Sequence, residues 1–275
     1  MPDTYAWTPY EPENDADLAG PVGLPMPYGL HAALREQIGA ERTTQVAELL
    51  RPSLELCPDV PEDTIGWTPV GHTGGCAALP ADVDWPEGDG HPMELLAQLD
   101  CARLAEAFQA GRSATSWPLP AHGLLLFFHD SFPVDPSKES CTVLHFPSGT
   151  PERPAPPDPD GGEPLPGRPV WARWALSAPS YLDDELVDAL AGDYRDAMDV
   201  SDACHEHLGG ADIRLLGWCD SHNTTRPDGH RPLLQVEGSA ADARWGELVN
   251  VSVWITDEDL AAGRFDRARY GAEVA

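Results

Sequence analysis

The longest uninterrupted run of apolar residues in this chain is only five residues long, from Leu124 to Phe128. A membrane-spanning helix needs about 20 such residues, so the sequence predicts no membrane span. A short apolar run that follows Gly123 and ends at His129 is typical of a buried β-strand. With 275 residues, of which 41% are hydrophobic, the chain can bury a core without disulfides or metals.

The charge of the chain is strongly negative. It has 46 acidic and 17 basic residues, a formal net charge of −29, and Lys138 is its single lysine. Such a charge repels phosphate backbones and anionic lipid, so we expect no binding to nucleic acid or to membranes. The same charge would steer a basic protein partner toward the chain.

The thiols and the first residues indicate the compartment. No basic residue precedes Arg35, whereas a secretory signal begins with basic residues and continues with an apolar stretch. The six cysteines contain no Cys-x-x-Cys pair, which favours reduced thiols over a disulfide framework. We therefore expect a cytoplasmic protein.

The N-terminal part divides into two segments. Residues 1–27 hold six prolines and show no periodicity, which predicts an extended proline-rich arm. Residues 28–60 are predicted as a helical N-terminal region, because apolar residues recur at helical spacing from about Gly29 to Leu50. Gly39 divides this pattern into two helices, and Pro52 ends the second.

Residues 61–275 are predicted as one domain of short strands and helices. Its strands do not alternate regularly with helices, which predicts a mixed α+β fold with short peripheral helices. We expect the strands around 95–128 and 248–255 to share one core. The predicted strands are 95–99, 123–129, 141–146, 170–176, 212–216, 232–236 and 248–255, and the predicted helices are 102–110, 183–198 and 257–262.

A proline-rich insert interrupts this domain at residues 147–169. It contains nine prolines in 23 positions. Proline removes a backbone donor and restricts φ, so this insert is predicted as an exposed linker or long loop and not as a central strand.

Three ordered groups of residues resemble the YwqG-like family of bacterial domains of unknown function, over about residues 65–269. The groups are Gly74-Gly75-x-x-x-Leu79-Pro80 with Trp85-Pro86; Leu95 to Leu99 with Gly123 to Phe128; and Leu215-Leu216-Gly217-Trp218-x-Asp220 with Pro232 to Gln235 and Trp254-Ile255-x-x-x-Asp259-Leu260. The resemblance implies an α+β fold with mainly antiparallel, curled sheets and no established reaction. It also makes a role in toxin immunity conceivable. The chain departs from the family pattern at Cys219, where a proline is usual, and at His222-Asn223.

The sharpest local pattern is Cys204-x-x-His207, followed after eleven residues by Cys219-x-x-His222. Thiolate and imidazole are the ligands that zinc prefers, and this spacing lets each pair reach one metal ion. The alternative, which we favour, is that these are buried thiols beside surface histidines. We therefore predict no metal and no cofactor.

Motifs of catalysis are absent from the sequence. It contains no G-x-S-x-G elbow, no Walker loop, no G-x-G-x-x-G and no H-E-x-x-H. We therefore predict no catalytic residue, and whether the protein is an enzyme stays open.

Polar residues within apolar strands indicate a binding surface. Gln98 and His129 are such residues, and with Trp85 and Trp218 we predict that they line a shallow cleft. The alternative for Gln98 is that its amide satisfies the backbone of a neighbouring loop. The sequence thus favours a non-enzymatic protein-binding module with a basic partner, for which the family resemblance makes an immunity-type role conceivable. Alternatives are a zinc-binding protein and a small-molecule enzyme with a pocket near Gln98.

Overall fold

The computed structural model describes residues 26–88, 90–111, 116–130, 141–158, 162–219, 226–238 and 248–274. Within these residues it shows five α-helices, one short 3-10 helix and fourteen strands, so the predicted α+β class is confirmed. The predicted arm lies outside the described residues up to position 25. No described helix is both long enough and apolar enough to cross a membrane.

The helices are α1 (Tyr28–Leu49), α2 (Cys101–Ala110), α3 (Asp184–Ala189), α4 (Tyr194–Leu208) and α5 (Asp257–Ala261), with the 3-10 helix at Phe265–Arg267. The strands are β1 (Arg51–Pro58), β2 (Thr68–Thr73), β3 (Ala77–Ala78), β4 (Glu87–Gly88), β5 (His91–Pro92), β6 (Glu94–Asp100), β7 (Leu124–His129), β8 (Cys141–Phe146), β9 (Glu152–Arg153), β10 (Arg168–Ser177), β11 (Ile213–Leu215), β12 (His230–Glu237), β13 (Leu248–Thr256) and β14 (Arg269–Val274).

Ten strands form one antiparallel sheet, in the order β14-β13-β12-β11-β1-β10-β2-β6-β7-β8. The other four strands form two small pairs, β3 with β9 and β4 with β5. Because each strand twists relative to its neighbour, a sheet of this width curls. The curl brings its two ends together: Nε2 of His129 on β7 lies 2.9 Å from the hydroxyl oxygen of Tyr270 on β14.

The main core fills the inside of this curled sheet. Along β7, Leu125 and Phe127 belong to the inner core, whereas Leu126 and Phe128 belong to a smaller cluster on the outer face. This alternation is the two-residue period of a strand that is buried on both faces. The inner core also contains Val251 of β13, so the prediction that these strands share one core is confirmed.

The N-terminal region supplies both a helical layer and a central strand. As predicted, helix α1 is interrupted at Gly39, which has φ 80°. Helices α1, α3 and α4 pack through a second cluster that includes Leu34, Leu186 and Val200. Residues 51–58, which fall in the range predicted as helical, instead form β1 between β10 and β11.

The helix predicted at 183–198 is wrong as a single element. The structure places two helices there, α3 and α4, and Gly192 with φ 81° lies between them. A helix cannot continue through this left-handed backbone conformation, which is why the apolar spacing alone misled the prediction.

The proline-rich insert is largely irregular and exposed, as predicted, but part of it is attached to the domain. Its β9 pairs with β3, where Arg153 lies opposite Ala77. Further along, Leu165 is buried, and its carbonyl accepts a 2.9 Å hydrogen bond from the amide of Gly75. The insert therefore forms a wall against the outer face of the sheet.

Candidate functional site

An open cleft of about 90 Å³ lies between this wall and the outer face of β6. One side is formed by Trp85, Pro92 and residues of β6, and the other by residues 155–165 of the insert that the structure describes. We call it the acidic cleft, because four carboxylate side chains line it. They are Glu94, Asp130, Asp158 and Glu163.

Trp85 is the most rigid part of the lining. It is only 8% exposed, its indole Nε1 donates a 2.8 Å hydrogen bond to the carbonyl of Met93, and its ring packs edge-on against Phe128 at 5.3 Å. The Trp85-Pro86 motif therefore fixes one apolar side of the cleft.

Glycines allow the backbone segments around the cleft to approach each other. A Cβ at Gly74, whose φ is 56°, would lie 2.4 Å from the carbonyl oxygen of Pro166. A Cβ at Gly88 would lie 2.3 Å from an oxygen of the Asp130 carboxylate. Both contacts are closer than any side chain tolerates, so the cleft in this form requires glycine at these two positions.

The electrostatic character of the cleft is negative. Its described lining contains no lysine or arginine. His91 on β5 lies 3.2 Å from Asp158 of the insert, and this contact ties the two sides of the cleft together. Asp130 is only 6% exposed at the end of β7. Such an arrangement attracts a cation and repels an anion.

The described lining offers limited chemistry. It contains carboxylates and one imidazole, which can bind a cation or exchange a proton, but no serine, threonine or cysteine that could act as a nucleophile. The groups that line the cleft are therefore those of cation binding, proton transfer and carboxylate nucleophilicity.

Gln98 does not line the acidic cleft. Its side chain is 5% exposed, its carbonyl accepts a 2.7 Å hydrogen bond from the backbone amide of Ala78, and its amide lies 3.0 Å from His72 and 3.1 Å from Glu152. This is the arrangement expected if Gln98 satisfies the backbone of a neighbouring segment.

His129 and Trp218 lie elsewhere in the molecule. His129 is fully buried at the closure of the curled sheet, where it contacts Tyr270. Trp218 is fully buried beside the helical layer, where its indole Nε1 donates a 2.7 Å hydrogen bond to the carbonyl of Leu49. Of the four residues predicted to line one cleft, only Trp85 is in the acidic cleft, and a binding role for the other three stays a prediction.

The four candidate zinc ligands are only partly described. Cys204 and Cys219 line one cavity of about 110 Å³, together with His205. His207 instead packs against Gly29 of α1, and His222 lies outside the described residues. Burial raises the pKa of the Cys204 thiol to about 12. Among the described residues, no three or more His, Cys, Asp or Glu side chains are grouped as metal binding requires.

The carboxylates of the cleft are not among the site residues predicted from the sequence. They come from three separate stretches: Glu94 from β6, Asp130 from the end of β7, and Asp158 and Glu163 from the insert. In the sequence, Asp82, Asp84 and Glu87 flank Trp85-Pro86, which is a local signal of an acidic surface. These stretches are brought together by the pairing of strands in the sheet, and no local sequence motif indicates that pairing.

Comparison with known proteins identifies one family and no curated relative. A family model described as a domain of unknown function, DUF1963, matches residues 72–273. A search of the curated proteins finds no match. The matched range includes the whole lining of the acidic cleft but excludes α1 and β1, although β1 lies in the middle of the sheet.

Proposed function

The chain belongs to the DUF1963 family of domains of unknown function, and on that premise we propose that it is a non-enzymatic binding module whose acidic cleft receives a cationic side chain of a basic protein partner. We also propose that it is a YwqG-like member, since all three motif groups of that resemblance fall within residues 72–273.

The observation that carries the proposal is that Glu94, Asp130, Asp158 and Glu163 line one cleft whose described lining has no lysine or arginine. Such a cleft complements an ammonium or guanidinium group. The net charge of −29 extends this attraction over the whole molecule and would speed association with a basic protein.

The shape of the cleft favours one side chain of a protein over a whole metabolite. Pockets for small molecules usually enclose about 300 Å³ or more, whereas the acidic cleft has about 90 Å³. Trp85 and Pro92 offer apolar surface on which the aliphatic stem of an arginine or lysine would pack. A small amine is the remaining alternative for the same site, and it would not require a protein partner.

More broadly, we propose that the chain acts in the cytoplasm as an immunity-type protein. A soluble acidic module suits the neutralisation of a cationic toxin, because charge complementarity speeds encounter and excludes acidic competitors. The support for it is the charge of the chain and of the cleft.

The test is a calorimetric titration of the protein with an arginine-rich peptide and with a glutamate-rich peptide of equal length. We expect the arginine-rich peptide to bind at low salt, to bind more weakly at high salt, and the glutamate-rich peptide not to bind. The double variant Glu94→Gln/Glu163→Gln should weaken binding at least about tenfold, because it removes two charges from the cleft.

A matched control is Glu41→Gln/Glu48→Gln, which removes the same two charges from exposed positions of α1. It should weaken binding only slightly, through the overall field. Equal losses in the two double variants would mean that only the net charge matters, and the assignment of the cleft would then be wrong. Binding of free arginine or lysine as tightly as the peptide would favour the small-amine alternative.

A further inference from the structure

Two arginines lie over one aromatic side chain, Trp218, beside the helical layer. The guanidinium carbon of Arg51, the first residue of β1, lies 3.6 Å from the centroid of the Trp218 ring. The guanidinium carbon of Arg226 lies 5.2 Å from the same ring. Two cations therefore share one aromatic side chain.

Trp218 is a fixed platform for these arginines. Besides the hydrogen bond from its indole to Leu49, its backbone amide donates a 2.9 Å hydrogen bond to the hydroxyl of Ser177 on β10. Trp218 is fully buried, and hydrogen bonds fix both its indole and its backbone. The fold therefore positions the guanidinium that lies over the ring.

The two arginines differ in their partners. Arg226 is saturated: it lies 3.3 Å from Asp183, forms an ion pair with Glu185, and donates a 2.8 Å hydrogen bond to the carbonyl of His230. Arg51 makes no ion pair with any carboxylate of the described residues, and it is half-buried rather than free in solvent. Its hydrogen-bonding face is therefore available to a ligand.

Both cationic and anionic side chains act on the charge of Arg51. Burial, together with repulsion from Arg226 and Arg231, lowers the pKa of Arg51 below its usual value, although attraction to Glu185 and Asp183 offsets part of this effect. Arg231 contacts Asp257 at 3.2 Å through one terminal nitrogen, while its buried Nε has no hydrogen-bond partner among the described residues. The three arginines thus lie with the carboxylates of Asp183, Glu185 and Asp257, and Arg51 is the one of the three that makes no direct ion pair with a described carboxylate.

We propose that Arg51, stacked on Trp218, binds the oxyanion group of a small molecule, a carboxylate or a phosphate. A guanidinium presents two parallel N–H groups that match two oxygens of such an anion. Contact with the Trp218 ring holds the guanidinium of Arg51 in place, so that these N–H groups are positioned before a ligand binds. Arg231 adds positive charge to the same region. The site is independent of the acidic cleft, which would repel this ligand.

The test is the binding of inorganic phosphate and of acetate, measured by calorimetry and by the shift of the melting temperature at constant ionic strength set with chloride. We expect at least one of the two anions to bind and to raise the melting temperature above the chloride reference. Arg51→Gln should weaken binding at least about tenfold, because it removes the charge-assisted pair. Binding of phosphate but not acetate, or the reverse, identifies which oxyanion the site takes.

Two further variants keep the result decisive. Arg51→Lys retains the charge but loses the two parallel donors, so it should bind less tightly than wild type even if Arg51→Gln does not fold. Arg103→Gln, on the exposed surface of α2 where Arg103 pairs with Glu106, removes one positive charge far from Trp218 and should bind as wild type does. Absence of binding of both anions to the wild-type protein, or undiminished binding by Arg51→Lys, would overturn the proposal.

Discussion

The Nε2 atom of His129 lies 2.9 Å from the hydroxyl oxygen of Tyr270, and this contact joins β7, the second strand from one end of the ten-stranded sheet, to β14 at the other end. The two rings also pack against each other, with centroids 5.3 Å apart. A second ring contact, between His145 and Phe265, lies 5.8 Å across the same closure. The curl of the sheet is therefore secured by side chains between strands that are far apart in the sheet order.

The burial of His129 predicts a pH dependence of stability. Burial lowers the pKa of His129 from 6.5 to about 4 in the folded protein. The unfolded chain therefore binds more protons than the folded one between these values, so the free energy of unfolding falls as the pH falls from about 6.5 to about 4. The contribution of this one group is about 3 kcal/mol over the full range. Urea denaturation at several pH values measures it.

The variants for this prediction are His129→Gln and Tyr270→Phe. His129→Gln removes the titrating group, so its stability should depend less on pH than that of wild type across this range. Tyr270→Phe keeps the imidazole and should keep the pH dependence, but it loses a hydrogen bond worth about 1 kcal/mol. An unchanged pH profile in His129→Gln would show that His129 is not the group responsible.

Removal of the cap of helix α5 should lower stability by about 1 kcal/mol. The hydroxyl of Thr256 accepts a 3.1 Å hydrogen bond from the amide of Asp259 and donates a 3.0 Å bond to its carboxylate. Thr256→Ala removes both interactions, while Thr256→Ser keeps the hydroxyl and serves as the control. Urea denaturation should separate the two variants, and equal stabilities would contradict the role of the cap.

Much of the fold follows from local patterns in the sequence. The strand at Leu124–His129, the break of α1 at Gly39 and the short helix that begins at Asp257 each depend on a few adjacent residues, and the structure confirms all three. The central position of β1 does not follow in this way. Leu54 and Leu56 alternate with polar residues as a strand requires, but their partners are more than a hundred residues away in β10 and β11.

The candidate site could not be predicted from local patterns either, because its residues come from segments that are far apart in the sequence. Gln98 and His129 were predicted as binding residues because they are polar residues within apolar strands. In the structure their polar groups make contacts inside the protein. The residues of the acidic cleft are ordinary acids in loops and at strand ends. They become a site only because the insert returns to the sheet at Gly75, a contact that no spacing rule indicates.

The cysteines should differ strongly in reactivity. Cys76 is exposed, whereas Cys101 and Cys204 are buried, and burial raises the pKa of both buried thiols to about 12. Because the thiolate is the reactive form, a maleimide at neutral pH should modify Cys76 well before the other two. Peptide mass spectrometry after timed labelling measures the order. Cys76→Ser should abolish the fast reaction, and rapid labelling of Cys204 in the native protein would contradict the burial.

Replacement of Gln98 should affect stability and leave binding at the acidic cleft unchanged. Gln98→Leu leaves the buried amide of Ala78 without its acceptor, which should lower the free energy of unfolding by about 1 to 3 kcal/mol. The same substitution at the exposed Gln109 of α2 controls for the change of residue type and should cost little. Affinity for the arginine-rich peptide, measured on folded protein, should match that of wild type. Loss of affinity with no loss of stability would instead place Gln98 in a binding site, as the polar residue in an apolar strand first indicated.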